Sequence, residues 1–162
     1  MTGESQDGVC PPQIQRALDE HTTLTLAYLD EAGFPQACAV FYAATDVPTL
    51  VFLSSADTAH GRALLAAGSG APVAFTAQRD EQTWTDITGI QGRGICHRLT
   101  GHAAAAARRA YAQRFPFIDT APNLSRALDS TDFWEIRPHW LRLVDNTRGF
   151  GHKTEWTPKT QN

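Results

Sequence analysis

The chain of 162 residues has no long hydrophobic run and little net charge, and each absence excludes a class of protein. No apolar stretch approaches the roughly 20 residues that cross a bilayer, so we expect no membrane-spanning helix. Fourteen Lys and Arg against seventeen Asp and Glu give a formal net charge of −3. The chain therefore lacks the basic surface of a non-specific nucleic-acid or membrane binder.

Cysteine is scarce, with Cys10, Cys38 and Cys96 widely spaced. An odd number at such spacing argues against a disulfide framework and indicates a reducing compartment. The first seven residues are polar and acidic, without the basic start and apolar stretch of a signal peptide. We therefore expect a soluble, cytoplasmic protein.

The familiar catalytic and metal-binding motifs are also missing. The six histidines show none of the spacings that hold a structural or catalytic metal, so we expect no metal site. The sequence contains no Gly-x-Ser-x-Gly nucleophile elbow, no P-loop and no Gly-x-Gly-x-x-Gly dinucleotide motif. The sequence therefore assigns no catalytic residue.

What the chain does have is apolar residues (42%), 12 glycines and 9 prolines, which indicate a real core and many turns. Hydrophobic periodicity predicts helices at 13–21, 59–67 and 103–115, with a shorter helical turn at 124–128. The same criterion predicts strands at 22–30, 36–44, 49–54, 72–78, 84–99, 133–136 and 140–144, followed by a Gly/aromatic tail.

Most of the strand connections are too short for parallel crossovers, so we predict a largely antiparallel sheet. Gly89, Gly92 and Gly94 fall inside one predicted strand and indicate a bulge, a sharp curl or the close approach of a ligand. These features favour a small closed or split barrel in a mainly β (α+β) fold. We expect one domain over 11–157, between tails at 1–10 and 158–162.

One segment, 54–62, combines several groups that bind anions. It joins the end of a predicted strand to the start of a helix, whose N-terminus carries partial positive charge and free N–H donors. Thr58 adds a hydroxyl, and His60 and Arg62 add charge-assisted hydrogen bonds. The alternative is an ordinary helix cap followed by a solvated arginine.

Several motifs together resemble the FMN-binding split-barrel superfamily typified by pyridoxamine 5′-phosphate oxidase, and more closely its YhbP-type group. They are Phe41-Tyr42, Phe52-Leu53-Ser54-Ser55-x-Asp57-Thr58-x-His60, Ile87-x-Gly89-Ile90-Gln91-x-x-Gly94, Tyr111-x-x-Arg114-Phe115-Pro116 and Leu143-x-Asp145-Asn146-x-x-Gly149-Phe150-Gly151-x-Lys153-x-x-Trp156. The resemblance runs from about His21 to Trp156, and the last motif is the most distinctive.

The resemblance implies a six-stranded antiparallel split barrel with two or three flanking helices, forming a homodimer with two FMN sites at its interface. The flavin of the oxidases lies against the strand that matches 37–42, and their phosphate is held by residues matching Leu53, Ser54, Ala59 and His60. The cofactor-binding candidates are Phe41, Tyr42, Leu53, Ser54, Ser55, Thr58, His60, Arg62, Gln91, Lys153 and Trp156.

The chain departs from the oxidases at three places. Ala59-His60 stands where they have Arg-Lys, so one titratable imidazole replaces two cations, and Arg62 is the candidate that compensates. Gln91 is three residues before the strand glycine rather than five, which keeps it on the same face. The C-terminal Arg-x-His is absent, because Arg148 and His152 are four apart, so we do not expect pyridoxamine phosphate oxidation.

The leading hypothesis is an FMN-binding oxidoreductase that takes hydride from NAD(P)H at flavin N5 and passes it to an unassigned small-molecule acceptor. A cationic His60 against phosphate predicts that flavin affinity falls as the pH rises through neutrality. One alternative is a non-catalytic binder of flavin, haem or another planar ligand on the same barrel. The other is a reductase that uses a deazaflavin.

Lys153 and Trp156 also have a plain structural interpretation, as a Lys stem lying beside a core Trp.

Overall fold

A computed structural model describes residues 8–159, which form an antiparallel sheet and several helices. The strands are β1 (Thr23–Leu29), β2 (Pro35–Ala44), β3 (Leu50–Ser54), β4 (Ala71–Gln78), β5 (Thr88–Arg98), β6 (Asp132–Asp145) and β7 (Lys153–Trp156). The helices are α1 (Pro12–Glu20), α2 (Ala59–Ala66), α3 (Gly101–Arg114), α4 (Phe117–Thr120) and α5 (Pro122–Asp129), with a 3₁₀ turn at Asn146–Arg148.

The sheet closes into a barrel because β3 pairs with two strands, β2 on one side and β6 on the other. The strand order is β3-β2-β1-β4-β5-β6, and β7 adds to the free part of β6 outside the closed barrel. Every pairing is antiparallel. The predicted six-stranded antiparallel split barrel is confirmed.

Two hydrophobic clusters hold the barrel together. The first fills the interior, where Phe52 of β3 stacks on Trp134 of β6 with ring centroids 6.4 Å apart. Helices α1 and α2 contribute buried residues to this interior, including Leu18 and Leu64. In the second cluster, Tyr111 of α3 packs with Val51 of β3 on the outer surface of the barrel. The outer surface of β2 and β3 is thus partly covered by helices.

The strand predictions are wrong in three places. Residues 133–136 and 140–144 belong to one strand, β6, because Pro138 falls at a register shift against β5 and does not end the pairing. Residues 84–87 precede β5 instead of belonging to it. Lys153–Trp156 of the predicted tail forms β7, and α4 is an additional helix. Local periodicity misses the strand features because pairing with the neighbouring strands decides them.

The glycine-rich part of β5 contains a register shift, and two of its glycines lie where no side chain fits. A Cβ on Gly92 would overlap the ring of Phe75 in the barrel interior. A Cβ on Gly94 would lie 2.5 Å from the carbonyl oxygen of Arg137, beside the register shift between Arg93 and Gly94. Of the three interpretations, the bulge matches the register shift between Arg93 and Gly94, and the glycines accommodate the close approach of Phe75 and β6.

No helix among residues 8–159 is long and apolar enough to cross a membrane. Cys10, Cys38 and Cys96 are all free. The predicted tails include residues 1–7 and 160–162, which lie outside the described residues. The single domain over 11–157 stays a prediction.

Replacing Gly92 with alanine is expected to lower the free energy of unfolding by about 1–3 kcal/mol, because the new methyl group must displace the buried Phe75 ring. Urea denaturation measures the change. Gly89→Ala is the matched control, since its Cβ would meet neighbouring atoms no closer than 3.2 Å. Equal stability of the two variants would contradict the packing explanation.

Candidate functional site

The segment from Ser54 to Arg62 forms a tight turn between β3 and α2. Thr58 caps the helix: its Oγ1 accepts a hydrogen bond from the N–H of Gly61 at 3.0 Å and donates to the carbonyl of Ser55 at 2.8 Å. A Cβ on Gly61 would overlap the Ser55 carbonyl, so the turn requires glycine at this position. The helix cap that the sequence offered as the alternative to an anion site is thus present, and it holds the segment in a fixed shape.

Ser54 and His60 meet at the centre of this turn. Ser54 Oγ lies 2.5 Å from His60 Nε2 and 3.3 Å from Thr58 Oγ1. The Ser54 side chain is buried and its carbonyl accepts a hydrogen bond from the Trp134 indole at 2.9 Å. The ring of Tyr28 stands edge-on to the His60 ring, with centroids 6.2 Å apart. Two hydroxyls and an imidazole are therefore clustered beside the N-terminus of α2.

In the absence of a ligand, the turn offers an anion N–H donors but little positive charge from His60. Partial burial lowers the pKa of His60 from its ordinary value of 6.5, so the free protein favours the neutral imidazole. In the part of the chain that the structure describes, the N–H groups of Ala59 and His60 find no acceptor. These donors point from the positive end of α2, where phosphate and carboxylate groups bind. The residues present therefore fit an anionic group.

Arg62 does not join the cluster around His60. Its guanidinium donates back to the carbonyl of Asp57 and is exposed to solvent. The sequence singled out Arg62 because it follows His60 closely in the chain. In the structure the Arg62 side chain instead closes a surface loop. This matches the alternative interpretation of Arg62 as a solvated arginine.

A charged pair that sequence reasoning missed lies next to Ser54. Asp132 of β6 is the register partner of Ser54, and its carboxylate lies 2.7 Å from Nη2 of Arg98 on β5. Arg98 itself stands opposite Trp134. No local motif in the sequence indicates this pair, because its members come together only through the pairing of β3, β6 and β5.

The remaining candidates near β3 have different surroundings. Phe41 is 55% exposed on β2, and its ring lies 5.7 Å from the ring of Phe115. Tyr42 points into the barrel, where its hydroxyl donates to the carbonyl of Leu18 at 2.6 Å. Leu53 packs with the second hydrophobic cluster, between the barrel and the helices. Of these three, Phe41 is the one with a large surface available to a ligand.

Gln91, Lys153 and Trp156 lie in a second region, towards the other end of β6. Trp156 pairs with Leu141, which is nine positions from the partner of Ser54 along β6, or about 30 Å of extended strand. Gln91 is exposed and accepts a hydrogen bond from Arg142 at 3.5 Å, and Lys153 is exposed on β7. The structure does not bring these residues to the Ser54–His60 cluster within one chain.

Trp156 itself is buried at the edge of a cavity. Its indole nitrogen finds no acceptor among residues 8–159. The cavity, of about 500 Å³, is also lined by residues of the β2–β3 turn, the middle of β6 and both ends of the described chain. The buried indole matches the plain interpretation of Trp156 as a core residue.

The closed barrel, the turn at 54–62 and the extra strand β7 define a split-barrel protein, and relatives of known sequence make this more specific. A UPF0306 protein of Klebsiella pneumoniae is 37% identical over 121 residues, which cover 74% of this chain and 75% of that protein. The chain belongs to the UPF0306 family. The family protein YhbP of Salmonella schwarzengrund is 37% identical over 107 residues, 66% of this chain and 65% of YhbP. The chain thus spans slightly less than two thirds of YhbP.

Solved structures show the same fold. A haem-binding protein from Mycobacterium smegmatis superposes with a TM-score of 0.68 at 26% identity, over 92% of this chain and 59% of that one. The haem storage protein HutZ from Vibrio cholerae has a TM-score of 0.62 at 19% identity, covering 80% and 90%. A Clostridium acetobutylicum protein of the pyridoxinephosphate oxidase family has a TM-score of 0.64 at 10% identity, covering 90% and 92%. No family model matches the chain.

We expect His60 to make folding less favourable in acid. Because its folded pKa is below 6.5, the unfolded chain binds the proton more readily, and stability falls as the pH drops from about 6.5 towards the folded pKa. His60→Gln removes this contribution, so the wild type should lose more stability than the variant between about pH 7.5 and about pH 5.5. Urea denaturation at both values tests it.

His21 has a pKa that is also lowered by burial, but it is present in both proteins and cancels from the comparison. An NMR titration midpoint of His60 above 6.5 in the ligand-free protein would contradict the predicted direction.

Proposed function

We propose that this protein is a flavoprotein that binds FMN, with the phosphate held at Ser54, Thr58, His60 and the N-terminus of α2. The observation that carries the proposal is the convergence of the Ser54 and Thr58 hydroxyls, the His60 imidazole and two unpaired N–H groups on one rigid turn. The phosphate monoester of FMN offers acceptors for the Ser54 hydroxyl, the protonated imidazole and the two N–H groups, while the Thr58 hydroxyl, which already donates to the Ser55 carbonyl, shapes the turn around them.

Phe41 lies on β2, which matches the strand that contacts the flavin in the pyridoxamine 5′-phosphate oxidases. Its exposed ring offers an apolar surface to the isoalloxazine. Bound FMN would supply hydride acceptance at N5 from NAD(P)H. The chain's own residues hold and orient the cofactor. None of the groups around Ser54 is required as an acid or base for that transfer.

We propose further that two copies of the chain associate across the outer surface of β1, β2 and β4. This surface carries small side chains that are exposed, and their register places them in adjacent rows: Thr25, Ala37, Ala39, Ala74 and Thr76. Small side chains allow a second sheet to approach closely.

Haem is the second candidate ligand, and the likeness to the haem-binding protein from Mycobacterium smegmatis favours it. Haem is planar, like flavin, and its carboxylates suit the same donors at the start of α2. In this case the protein is a binder without hydride chemistry. The two ligands differ in whether the anchored anion is a phosphate or a carboxylate.

Titration of the purified protein with FMN at about pH 6 and about pH 8 is expected to give saturable quenching of flavin fluorescence, with higher affinity at the lower pH. The reason is that a bound phosphate favours the cationic form of His60, whereas the free protein favours the neutral form. His60→Ala should weaken binding and flatten this pH dependence. Adding NAD(P)H to the complex should bleach the flavin absorbance.

The outcomes separate the candidates. Flavin bands that do not bleach contradict the oxidoreductase and leave a flavin binder. A protein that takes up haem or a deazaflavin but fails to bind FMN at either pH contradicts the FMN assignment. Unchanged FMN binding by His60→Ala contradicts the phosphate site.

Ala39→Arg is expected to shift the protein from dimer to monomer in analytical ultracentrifugation, because it places a charge in the middle of the proposed sheet interface. Ala66→Arg, on the exposed end of α2, is a control of the same chemistry outside that surface. A wild type that sediments as a monomer, or a dimer that Ala39→Arg leaves intact, contradicts the proposed interface.

A further inference from the structure

We propose that Arg98, and not Arg62, is the second cation of the anion site at Ser54 and His60. The inference rests on the proposed function, in which this site holds the phosphate of FMN. It names a binding residue that no sequence motif indicates and that lies on a different strand from the rest of the site.

Strand alternation places the Arg98 side chain on the same face as the site. Side chains two positions apart on a strand share a face. Ser54 follows Phe52 by two positions, Asp132 precedes Trp134 by two, and Arg98 follows Cys96 by two. Phe52, Trp134 and Cys96 all belong to the interior cluster of the barrel. The three polar residues therefore continue the interior face to the same end of the barrel.

Register brings these residues within reach of one another. Ser54 and Asp132 are directly opposite on β3 and β6, where side chains are neighbours. Arg98 stands opposite Trp134, so Asp132 is its diagonal neighbour, a separation that a long side chain spans. The 2.7 Å contact between Arg98 Nη2 and Asp132 Oδ1 shows that the guanidinium extends towards the Ser54 side.

Because of the Asp132 carboxylate, a phosphate can bind beside Ser54 only if a cation such as Arg98 is present. A carboxylate next to Ser54 repels an incoming phosphate unless a cation compensates its charge. Arg98 provides that charge, and its guanidinium has five N–H donors, which is enough to contact a carboxylate and a phosphate together. Both side chains are partly open to solvent, 43% for Arg98 and 24% for Asp132, so a ligand has access to the pair.

Arg62 lacks these properties. It lies on the exposed side of α2, and its guanidinium is used by the carbonyl of Asp57. It therefore serves as the matched control, since removing it deletes one positive charge close to His60 in the sequence without touching the interior face.

The test compares FMN with riboflavin, which lacks the phosphate, in titrations of wild type, Arg98→Gln, Asp132→Asn and Arg62→Ala by fluorescence quenching. Arg98→Gln should bind FMN about tenfold more weakly, as expected for loss of a charge-assisted hydrogen bond. Asp132→Asn should bind FMN more tightly, because it removes the opposing charge. Arg62→Ala should resemble the wild type, and riboflavin affinity should not change in any variant.

The opposite signs distinguish a ligand-binding role from a structural one. If the pair only stabilises the strand ends, Arg98→Gln and Asp132→Asn lower the melting temperature together and neither changes the preference for FMN over riboflavin. That result, or a loss of FMN affinity confined to Arg62→Ala, overturns the inference while the proposed function stands. Failure of the wild type to bind FMN overturns the proposed function itself.

Discussion

The double pairing of β3 is the constraint on which the rest of the structure depends. A strand of five residues bonds to β2 along one edge and to β6 along the other, and this closes the barrel. Closure places Phe52 on Trp134 and the Ser54 carbonyl on the Trp134 indole. The end of β3 is therefore held rigidly, and the turn that follows inherits a fixed position at the barrel end.

The turn from Ser54 to Arg62 brings several hydrogen-bond donors together, but no permanently charged side chain lies at its centre. Thr58 and Gly61 shape the backbone, and Ser54 holds His60 at 2.5 Å in a partly buried position where the neutral imidazole is favoured. Within this turn, positive charge develops mainly when an anion is bound, and the proposed second cation, Arg98, comes from another strand. This differs from a site with two permanent cations, which attracts anions at every physiological pH.

The sequence predicted much of the fold because the relevant signals are local. The alternation of Leu24, Leu26 and Tyr28 indicates β1, and the glycines at 92 and 94 indicate the irregularity in β5. The hydroxyls and imidazole of segment 54–62 are close together in the chain, so their clustering followed from the helix start. Pro138, in contrast, misled the prediction: it looks like the end of a strand, but the register shift against β5 accommodates it.

The sequence by itself thus determined the antiparallel class of the barrel, the start of α2 and the family to which the chain belongs. Only the tertiary structure decided which charged groups accompany the site. It turned Arg62 towards Asp57, paired Arg98 with Asp132, which is the register partner of Ser54, and placed Trp156 far along β6. The physical reason is that these neighbours depend on the register between strands distant in sequence, which periodicity and spacing along one segment do not encode.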